Sequence, residues 1–346
     1  MPADGIIVHL NPSALPWDPS RVTVRGMLAT TYRPVPLDRL TDGGVSFAHR
    51  MDGKRLATYL DAGLRASAVI LGCNVFAELP AELVERFCRH NALIATEAPP
   101  RTLFSDLLSA STSLFHDLLD PPRLAGAPHG VRLGPEAFVA DDAVIGEGTI
   151  IGAGAIVGSR AVLGRSCVVG ERAMIFDGVR LGVSVRVGPC AIVGSRVNSY
   201  EAKQDGSGWH DRPQVGSLVV GDDVRIGAHA VINGGTLSDT MIGPRCRIGD
   251  RVIVGHNVRI DAGVAVTAGA VICGSTLIGE KAWIGPGAVI KNKIRVGAGA
   301  VVAAGSVIVE DVAPEARVYP VPALEGHELL NLKRLLRSHK MRKSAR

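Results

Sequence analysis

The sequence predicts a mainly β protein whose central part is a parallel β-helix, with a small α/β domain before it and a helix after it. Three observations lead to this fold class. Hydrophobic residues make up 47% of the chain but aromatic residues only 4%, so Val, Ile, Ala and Leu dominate. The chain contains 41 glycines, which is typical of a strand-rich protein with many tight corners. The third observation is a six-residue period.

An aliphatic residue, usually followed by Gly, recurs every six residues. The positions are Leu133, Val139, Ile145, Ile151, Val157, Leu163, Val169, Ile175, Leu181, Val187 and Val193, then Val220, Ile226 and Ile232, then Ile242 and onward through Val254 to Ile308. Four residues after each aliphatic lies a small or β-branched residue, such as Ala155 or Val258. Two periodic positions predict a β-helix in which each hexad forms one strand with its aliphatic side chain inward. We expect the following Gly to provide the backbone geometry of the corner.

This pattern resembles the left-handed hexapeptide-repeat proteins, in which three hexads make one triangular coil. The resemblance implies about nine coils in this chain. Two breaks in the period predict loops that leave the coil. The stretch "NSYEAKQDGSGWHDRPQ", with Trp209, lies between Val193 and Val220, and "NGGTLSDT", with Asp239, lies between Ile232 and Ile242. Solenoids often use such insertions for binding.

The segment "RVIVGHNVRI" places His256 two residues after the inward Val254, where the chain turns outward. A lone His is otherwise more often a satisfied core residue. One coil later lies Gly274, whose N–H we expect near the imidazole, as an acyl-transfer site requires for the oxyanion. Asp239, Asp250 and Asp261 are candidates for orienting the ring, and Asp239 is preferred because it lies in the shorter loop.

The chemistry of a base suits this histidine. An imidazole with a pKa near about 6.5 can accept a proton from an amine at neutral pH. Neither a Cys-His nor a Ser-His-Asp pairing is apparent in the repeat, which favours direct attack by the amine over a covalent acyl-enzyme.

The predicted domains are an N-terminal α/β domain over 1–127, the β-helix over 128–312 and a basic helical tail over 313–346. In the first domain, "ASAVILGC" and "NALIAT" read as buried strands and "PPRTLFSDLLSAS" as an amphipathic helix with Leu103, Leu107 and Leu108 on one face. Phe47, after the turn "TDGGVS", is either a core aromatic or a base-stacking residue. The absence of a Gly-rich phosphate loop argues against a dinucleotide or nucleotidyltransferase site.

Other features narrow the class of protein. No signal peptide and no long apolar stretch is found, so we expect a cytoplasmic protein without a transmembrane segment. Six cysteines without a CxxC pair predict free thiols, and neither a disulfide framework nor a metal site. The net charge of +5 is concentrated in the tail, where Lys333 to Arg346 contains seven Lys or Arg and no acid. Nothing in the sequence points to nucleic acid.

The segment from "GWHDRPQVGSLVVGDDVRIG" to "VGHNVRI" resembles the core of the UDP-3-O-(3-hydroxyacyl)glucosamine N-acyltransferases of lipid A biosynthesis. The family stretches "IPQIG", "DDTxIG" and "AHNV" occur here, in the same order and spacing, as "RPQVG", "SDTMIG" and "GHNV". The resemblance extends to "GVSFAHRMDGKRLATYLDAGLRASAVIL", which is similar to the family's uridine-binding domain, and to "RVYPVPA" near the C-terminus.

The resemblance implies a homotrimer with active sites between subunits and no bound cofactor. The donor would be an acyl-phosphopantetheine thioester, on acyl carrier protein or CoA, and the acceptor a UDP-amino sugar. His256 would be the general base, Gly274 the oxyanion donor and Phe47 a wall of the uracil pocket. Apart from the resemblance, Trp209 in the longer loop is either a lid over the pantetheine arm or a loop anchor, and Asn257 and Asp239 are further candidates for substrate contact. The basic tail would either dock an acidic acyl carrier protein or serve as a solvated packing helix.

Several family positions differ here. The family's "DGFGY" is absent, "IDRGAL" reads "INGGTL", a second family histidine is replaced by Lys293, and Gly53 stands where the uridine-binding Tyr is expected. These departures keep two alternatives open. One is an acyltransferase of the same fold that uses acyl-CoA or acyl carrier protein with a different amine or hydroxyl acceptor. The other is a metal-binding β-helix of the γ-carbonic anhydrase type, for which His210, His229 and His256 lack the expected close pair.

Overall fold

The computed structural model describes residues 8–9, 21–26, 28, 31–35, 40–48, 50–111, 127–197, 200–202, 207–211 and 214–320. The predicted C-terminal helix and the basic stretch Lys333 to Arg346 lie outside the described residues.

The N-terminal part is a six-stranded sheet with helices. Its strands are β1 (Val8–His9), β2 (Val22–Gly26), β3 (Thr31–Pro34), β4 (Gly44–Ala48), β5 (Ala68–Gly72) and β6 (Ala92–Thr96). The helices are α1 (Gly53–Asp61), α2 (Cys73–Ala77), α3 (Ala81–Cys88) and α4 (Pro100–Ser111). The strand order is β1-β3-β4-β5-β6-β2, in which β3 to β6 run parallel and the outer strands β1 and β2 pair antiparallel.

The predicted strands and helix of this part are confirmed. The central strands β5 and β6 are buried on both sides because helices cover the sheet, and this explains their continuous apolar runs. Helix α4 buries Leu103 and Leu107, as predicted, while the side chain of Leu108 is outside the described residues. Helix α1 begins after Asp52, whose carboxylate caps it by accepting a 2.8 Å hydrogen bond from the Arg55 N–H.

The central part is the predicted left-handed parallel β-helix with three flat faces. The first face contains Arg132–Leu133, Ile150–Ile151, Val168–Val169, Arg186–Val187, Arg225–Ile226, Arg247–Ile248, Ala265–Val266, Trp283–Ile284, Val301–Val302 and Arg317–Val318. The second contains Phe138–Val139, Ile156–Val157, Met174–Ile175, Ile192–Ser195, Val231–Asn233, Ile253–Val254, Val271–Ile272, Val289–Ile290 and Val307–Ile308. The third contains Val144–Ile145, Val162–Leu163, Arg180–Leu181, Leu218–Val220, Thr240–Ile242, Arg259–Ile260, Leu277–Ile278 and Arg295–Val296.

The inward and outward rows of these strands differ sharply. The predicted aliphatic of each hexad points inward, and nearly all of them join one continuous buried core. Outward positions on the first and third faces include arginines, such as Arg247 and Arg259. On the second face the residue before each inward aliphatic is apolar, and several of these residues are exposed, including Ile253 at 43% and Val307 at 67%. One face of the β-helix is therefore a continuous apolar surface.

The role expected for the repeat glycine is wrong. Apart from Gly194 (φ 90°), the Gly after the inward aliphatic does not adopt a positive φ; instead, a side chain there would collide with the next coil. A Cβ on Gly146 would lie 2.6 Å from the Arg165 backbone nitrogen, for example. The left-handed residue comes two positions later, and it is often not glycine, as at Arg251 (φ 56°) and Asn257 (φ 57°). This conformation costs roughly 1–2 kcal/mol per residue.

Both insertions leave the β-helix where the chain passes from the second face to the third. We call this corner the His256 edge; it includes 194–197, 200–202, 207–211, 214–217, 233–239, 255–258 and 273–276. The longer insertion contains a hairpin of Tyr200–Ala202 and Trp209–Asp211, and the buried Gln214 closes its base by hydrogen bonds to the Val197 backbone. In the part of the chain that the structure describes, no helix has the length and hydropathy needed to cross a membrane.

Candidate active site

His256 projects from the His256 edge and is half-buried, as its position in the repeat predicts. Its imidazole lies directly against Gly274 on the following coil. A Cβ on Gly274 would be only 2.6 Å from His256 Nε2 and 2.8 Å from Cε1. The predicted proximity of the two residues is therefore confirmed, and glycine at position 274 is what leaves room for the ring.

The backbone N–H of Gly274 has no hydrogen-bond acceptor among the described residues. Across residues 127–197 and 214–320 no acceptor for this N–H is found, whereas the carbonyl of Gly274 accepts a 3.1 Å bond from the Lys293 N–H. At some comparable corners the N–H is capped by an aspartate of the next coil, as when Asp250 accepts a 2.8 Å bond from Ala228 N–H, whereas at others, such as Ala262 and Ala268, the described residues provide no acceptor either. An uncapped N–H beside an imidazole can receive an oxyanion.

The residue that contacts the other ring nitrogen is Asn257. His256 Nδ1 lies 2.9 Å from Asn257 Oδ1. The expectation that an aspartate orients His256 is wrong. Asp239 pairs instead with Arg180 (Oδ2 to Nη2, 2.7 Å) and accepts the Ser217 N–H at 2.8 Å, so its carboxylate fastens the shorter insertion to the coil. Asp250 and Asp261 lie at other edges of the prism.

Three hydroxyl residues of the shorter insertion hold Asn257. Thr236 donates from its hydroxyl (2.7 Å) and its N–H (3.2 Å) to Asn257 Oδ1. Asn257 Nδ2 donates to the Ser238 carbonyl (2.7 Å) and hydroxyl (2.9 Å), while the Asn257 N–H donates to Thr240 Oγ1 (2.9 Å). The stretch "TLSDT" presents these hydroxyls at every second residue. A substrate contact is predicted for Asn257, but the hydrogen-bonding groups of its side-chain amide are all used by protein partners.

The environment of the ring contains few other reactive groups. Cys273 precedes Gly274 and is half-buried, but in the described chain the only hydrogen bond of the His256 ring goes to Asn257. Burial raises the pKa of Cys167 and Cys246, which lie inside the prism. All six cysteines are free, as predicted. Among the described residues, no cysteine thiol is therefore paired with the His256 imidazole.

Phe47 lies in the N-terminal core. Its ring is half-buried on β4, and its centroid is 5.3 Å from that of Phe104 on α4, with the rings tilted by 49°. The same core packs against Val215 and Leu237, which belong to the two insertions. The N-terminal sheet thus adjoins the His256 edge, but Phe47 has a packing role there whatever else it contacts.

Trp209 lies on the hairpin of the longer insertion and is 64% exposed. Its indole packs edge-on against Tyr200, with centroids 4.9 Å apart. No contact joins it to His256 among the described residues. An exposed aromatic pair on the same edge as the base is available to a ligand, but the structure gives it only a local packing role.

The described residues contain no group of three or more His, Cys, Asp or Glu side chains that could hold a metal ion. Within one chain, His229 lies at the edge between the first and second faces and His256 at another edge, so the two cannot share a metal. The side chain of His210 is outside the described residues.

Gly274→Ala should displace the imidazole of His256 while leaving the coil folded, because the added methyl would overlap a side chain that can rotate away. We expect changed imidazole chemical shifts for His256 with little change in Tm. Gly287→Ala is the matched control, since a Cβ there meets open space but its φ of +64° disfavours alanine. The control should lower Tm and leave the chemical shifts of His256 unchanged. Unchanged His256 chemical shifts in Gly274→Ala would contradict the close packing of the ring against Gly274.

Comparison with known proteins agrees with the repeat. Residues 275–310 match the family described as bacterial transferase hexapeptide (six repeats), and residues 238–268 match the hexapeptide repeat of succinyl-transferase. A UDP-3-O-acylglucosamine N-acyltransferase of Coxiella burnetii is 42% identical over 87 residues, 25% of this chain and 25% of the relative. The one from Bordetella pertussis is 44% identical over 68 residues, 20% of this chain and 19% of the relative.

A solved UDP-N-acetylglucosamine acyltransferase from Campylobacter jejuni is 23% identical with a TM-score of 0.48, covering 59% of this chain and 82% of that one. The two sequence matches span only about a quarter of the relatives' own length. They and the family models nevertheless agree with the motif resemblance noted in the sequence. Over these segments the chain is therefore similar to the hexapeptide-repeat transferases, and in particular to the UDP-3-O-acylglucosamine N-acyltransferases.

Proposed function

We propose that the protein is an N-acyltransferase that moves a 3-hydroxyacyl group from a phosphopantetheine thioester to the amine of a UDP-amino sugar. The observation that carries the proposal is the pairing of His256 with the uncapped N–H of Gly274 on the next coil. The relatives named above supply the substrate class by their names. The basic tail of the chain would attract an acidic donor, and we propose acyl carrier protein as that donor.

The reaction follows from these two groups. His256 Nε2 accepts a proton from the acceptor amine as the amine nitrogen attacks the thioester carbonyl carbon. The oxygen of the tetrahedral intermediate takes the negative charge and accepts the Gly274 N–H. The intermediate collapses with cleavage of the C–S bond, and the imidazolium returns its proton to the leaving sulfur. The products are an amide and a free thiol, with the base restored.

A homotrimer is the proposed assembly, and the second face supports it. Monomeric soluble proteins rarely expose a continuous apolar surface of this kind. The outward row of that face has no charged member along its nine strands, and it borders the His256 edge. A second copy of the chain on this face would cover the apolar row and bring its own surface beside His256. The active site would then lie between subunits.

The acceptor is the least constrained part of the proposal. Phe47 packs on Phe104, and Gly53 begins α1 at the position where the family resemblance expects a second aromatic wall. A single half-buried ring gives a weak base-binding site, since stacking is worth about 1–3 kcal/mol per base. This observation favours the second candidate, an acyltransferase of the same fold with another amine or hydroxyl acceptor.

His256→Ala should lower the rate of acyl transfer by roughly 10²–10⁴-fold, the usual contribution of a general base. Tm and oligomeric state should change little, because the side chain points away from the prism core. The assay is amide formation from acyl carrier protein thioester and a UDP-amino sugar, followed by mass spectrometry. His229→Asn, at another edge, is the control and should remain active; a near wild-type rate for His256→Ala would remove it from the mechanism.

Replacing Ile253 and Val271 together by arginine should dissociate the trimer, because a buried interface cannot accept unpaired charges. Light scattering after gel filtration should give the trimer mass for the wild type and the monomer mass for the double variant. Val144→Arg is the matched control, since Val144 is 59% exposed on the third face. A wild-type monomer, or an intact trimer in the double variant, would refute this interface.

Free UMP should compete only weakly with a UDP-amino sugar, because we expect binding mainly through sugar and phosphate. Calorimetry with the wild type, Phe47→Ala and Phe47→Leu tests this. Phe47→Ala should destabilise the fold by about 1–3 kcal/mol through its lost contact with Phe104, and Phe47→Leu should restore much of that stability. Tight UMP binding that both variants abolish would contradict the prediction and strengthen the uridine assignment.

A further inference from the structure

We propose that Asn257 is a positioning residue that holds His256 in the tautomer with the proton on Nδ1, so that Nε2 beside Gly274 is the free base. The inference rests on the proposed function for its catalytic meaning. Its structural content, the tautomer, stands on the hydrogen bonds alone.

The orientation of the Asn257 amide follows from its partners. Oxygen and nitrogen of an amide are assigned from their partners. One end of the Asn257 amide lies 2.7 Å from the Ser238 carbonyl oxygen, which can only accept a hydrogen bond. That end must be the NH₂ group. The other end meets the Thr236 N–H, which can only donate, so it must be the oxygen. Two backbone groups therefore fix the amide without ambiguity.

The orientation of the Asn257 amide determines which ring nitrogen of His256 carries the proton. Asn257 Oδ1 has no proton to give, so His256 Nδ1 at 2.9 Å must be the donor. A neutral imidazole carries one N–H, and with that proton on Nδ1 the lone pair is on Nε2. Nε2 is the ring atom nearest to the point that a Cβ on Gly274 would occupy. The base and the uncapped N–H of Gly274 are thus placed side by side by a chain of hydrogen bonds that begins in the shorter insertion.

The backbone of Asn257 makes this contact between neighbours possible. Adjacent residues in an extended chain point in opposite directions. The left-handed conformation of Asn257 (φ 57°) turns its side chain back beside that of His256. Asparagine tolerates this conformation better than most residues, and it combines the donor that Ser238 requires with the acceptor that Nδ1 requires.

The charged and titratable groups around the ring do not provide an alternative partner. On the preceding coil, Asp239 is bound to Arg180 and to the Ser217 N–H. Arg259 follows on the third face, Cys273 lies on the next coil, and Lys291 and Lys293 lie on the coil after that. In the described chain none of these hydrogen-bonds to the imidazole. A nearby lysine cannot accept the Nδ1 proton, so Asn257 is the group that selects the tautomer.

The decisive variant is Asn257→Gly, which removes the amide and retains a residue suited to φ 57°. Imidazole nitrogens of ¹⁵N-histidine-labelled protein should be read by NMR above neutral pH, with His256→Ala used to assign the signals. The wild type should show a protonated Nδ1 and an unprotonated Nε2. Asn257→Gly should lose this pattern. A wild-type ring protonated on Nε2, or an unchanged pattern in Asn257→Gly, would overturn the proposal.

The kinetic readout distinguishes positioning from mere folding. Asn257→Gly should lower kcat at least about tenfold with little change in KM, because the base is misprotonated while substrate contacts remain. Asn257→Asp should keep the Nδ1 proton and move the acid limb of the pH–rate profile to higher pH, since a carboxylate stabilises the imidazolium. Arg251→Gly, with the same backbone conformation (φ 56°) at another edge, is the matched control and should change neither readout.

If no acyl transfer is found in the wild type, the proposed function fails, while the tautomer measurement still decides this inference. Acyl transfer in Asn257→Gly with wild-type kcat and pH profile would contradict the positioning role.

Discussion

Everything at the candidate site depends on the close backbone contact between successive coils. Each coil donates and accepts hydrogen bonds in register with the next, as in Gly255 N–H to Ile272 O at 2.8 Å. The coils are so close that a Cβ on Gly255 would lie 2.7 Å from the Gly274 nitrogen. A solenoid with this contact has no freedom to slide, because a shift by one residue would place side chains where only hydrogen fits. The spacing of eighteen residues therefore fixes His256 against Gly274.

This rigidity explains which features could be predicted from the sequence. The inward row of aliphatics, the three-sided coil and the contact between His256 and Gly274 all follow from a period that can be counted. The orientation of His256 could not be derived in this way. Asp239 is acidic and lies in an insertion, so it is the preferred candidate for orienting His256. The actual partner is the adjacent Asn257, and the six-residue period does not reveal that its backbone is left-handed. The alternating hydroxyls of "TLSDT" were the available signal, and they acquire meaning only once Asn257 is known to face them.

The repeat glycines are a second case in which the sequence pattern did not predict the local structure. A Gly after each aliphatic was expected to supply an unusual backbone angle, yet the angle occurs two residues later and is adopted by arginine, lysine, serine and asparagine. Local preference would place glycine there. It is overridden because the corner hydrogen bonds to neighbouring coils, such as Ser275 N–H to His256 O at 2.8 Å, hold the conformation in place. Tertiary contact thus frees these corner positions to carry functional side chains.

That freedom explains how a regular solenoid can hold the proposed catalytic group. A plain coil offers each outward side chain only the coils above and below it, and these present mostly backbone. His256 needs a polar partner at Nδ1, a space at Nε2 and an uncapped N–H nearby. Gly274 provides the space, and its N–H has no aspartate cap.

The polar partner at Nδ1 is Asn257, and the repeat alone does not hold its side chain in place. The shorter insertion does so, because Thr236 and Ser238 hydrogen-bond to the Asn257 amide. Asp239 then fastens that insertion to Arg180 and Ser217. Asp239 therefore stabilises the loop on which the orientation of the His256 ring depends.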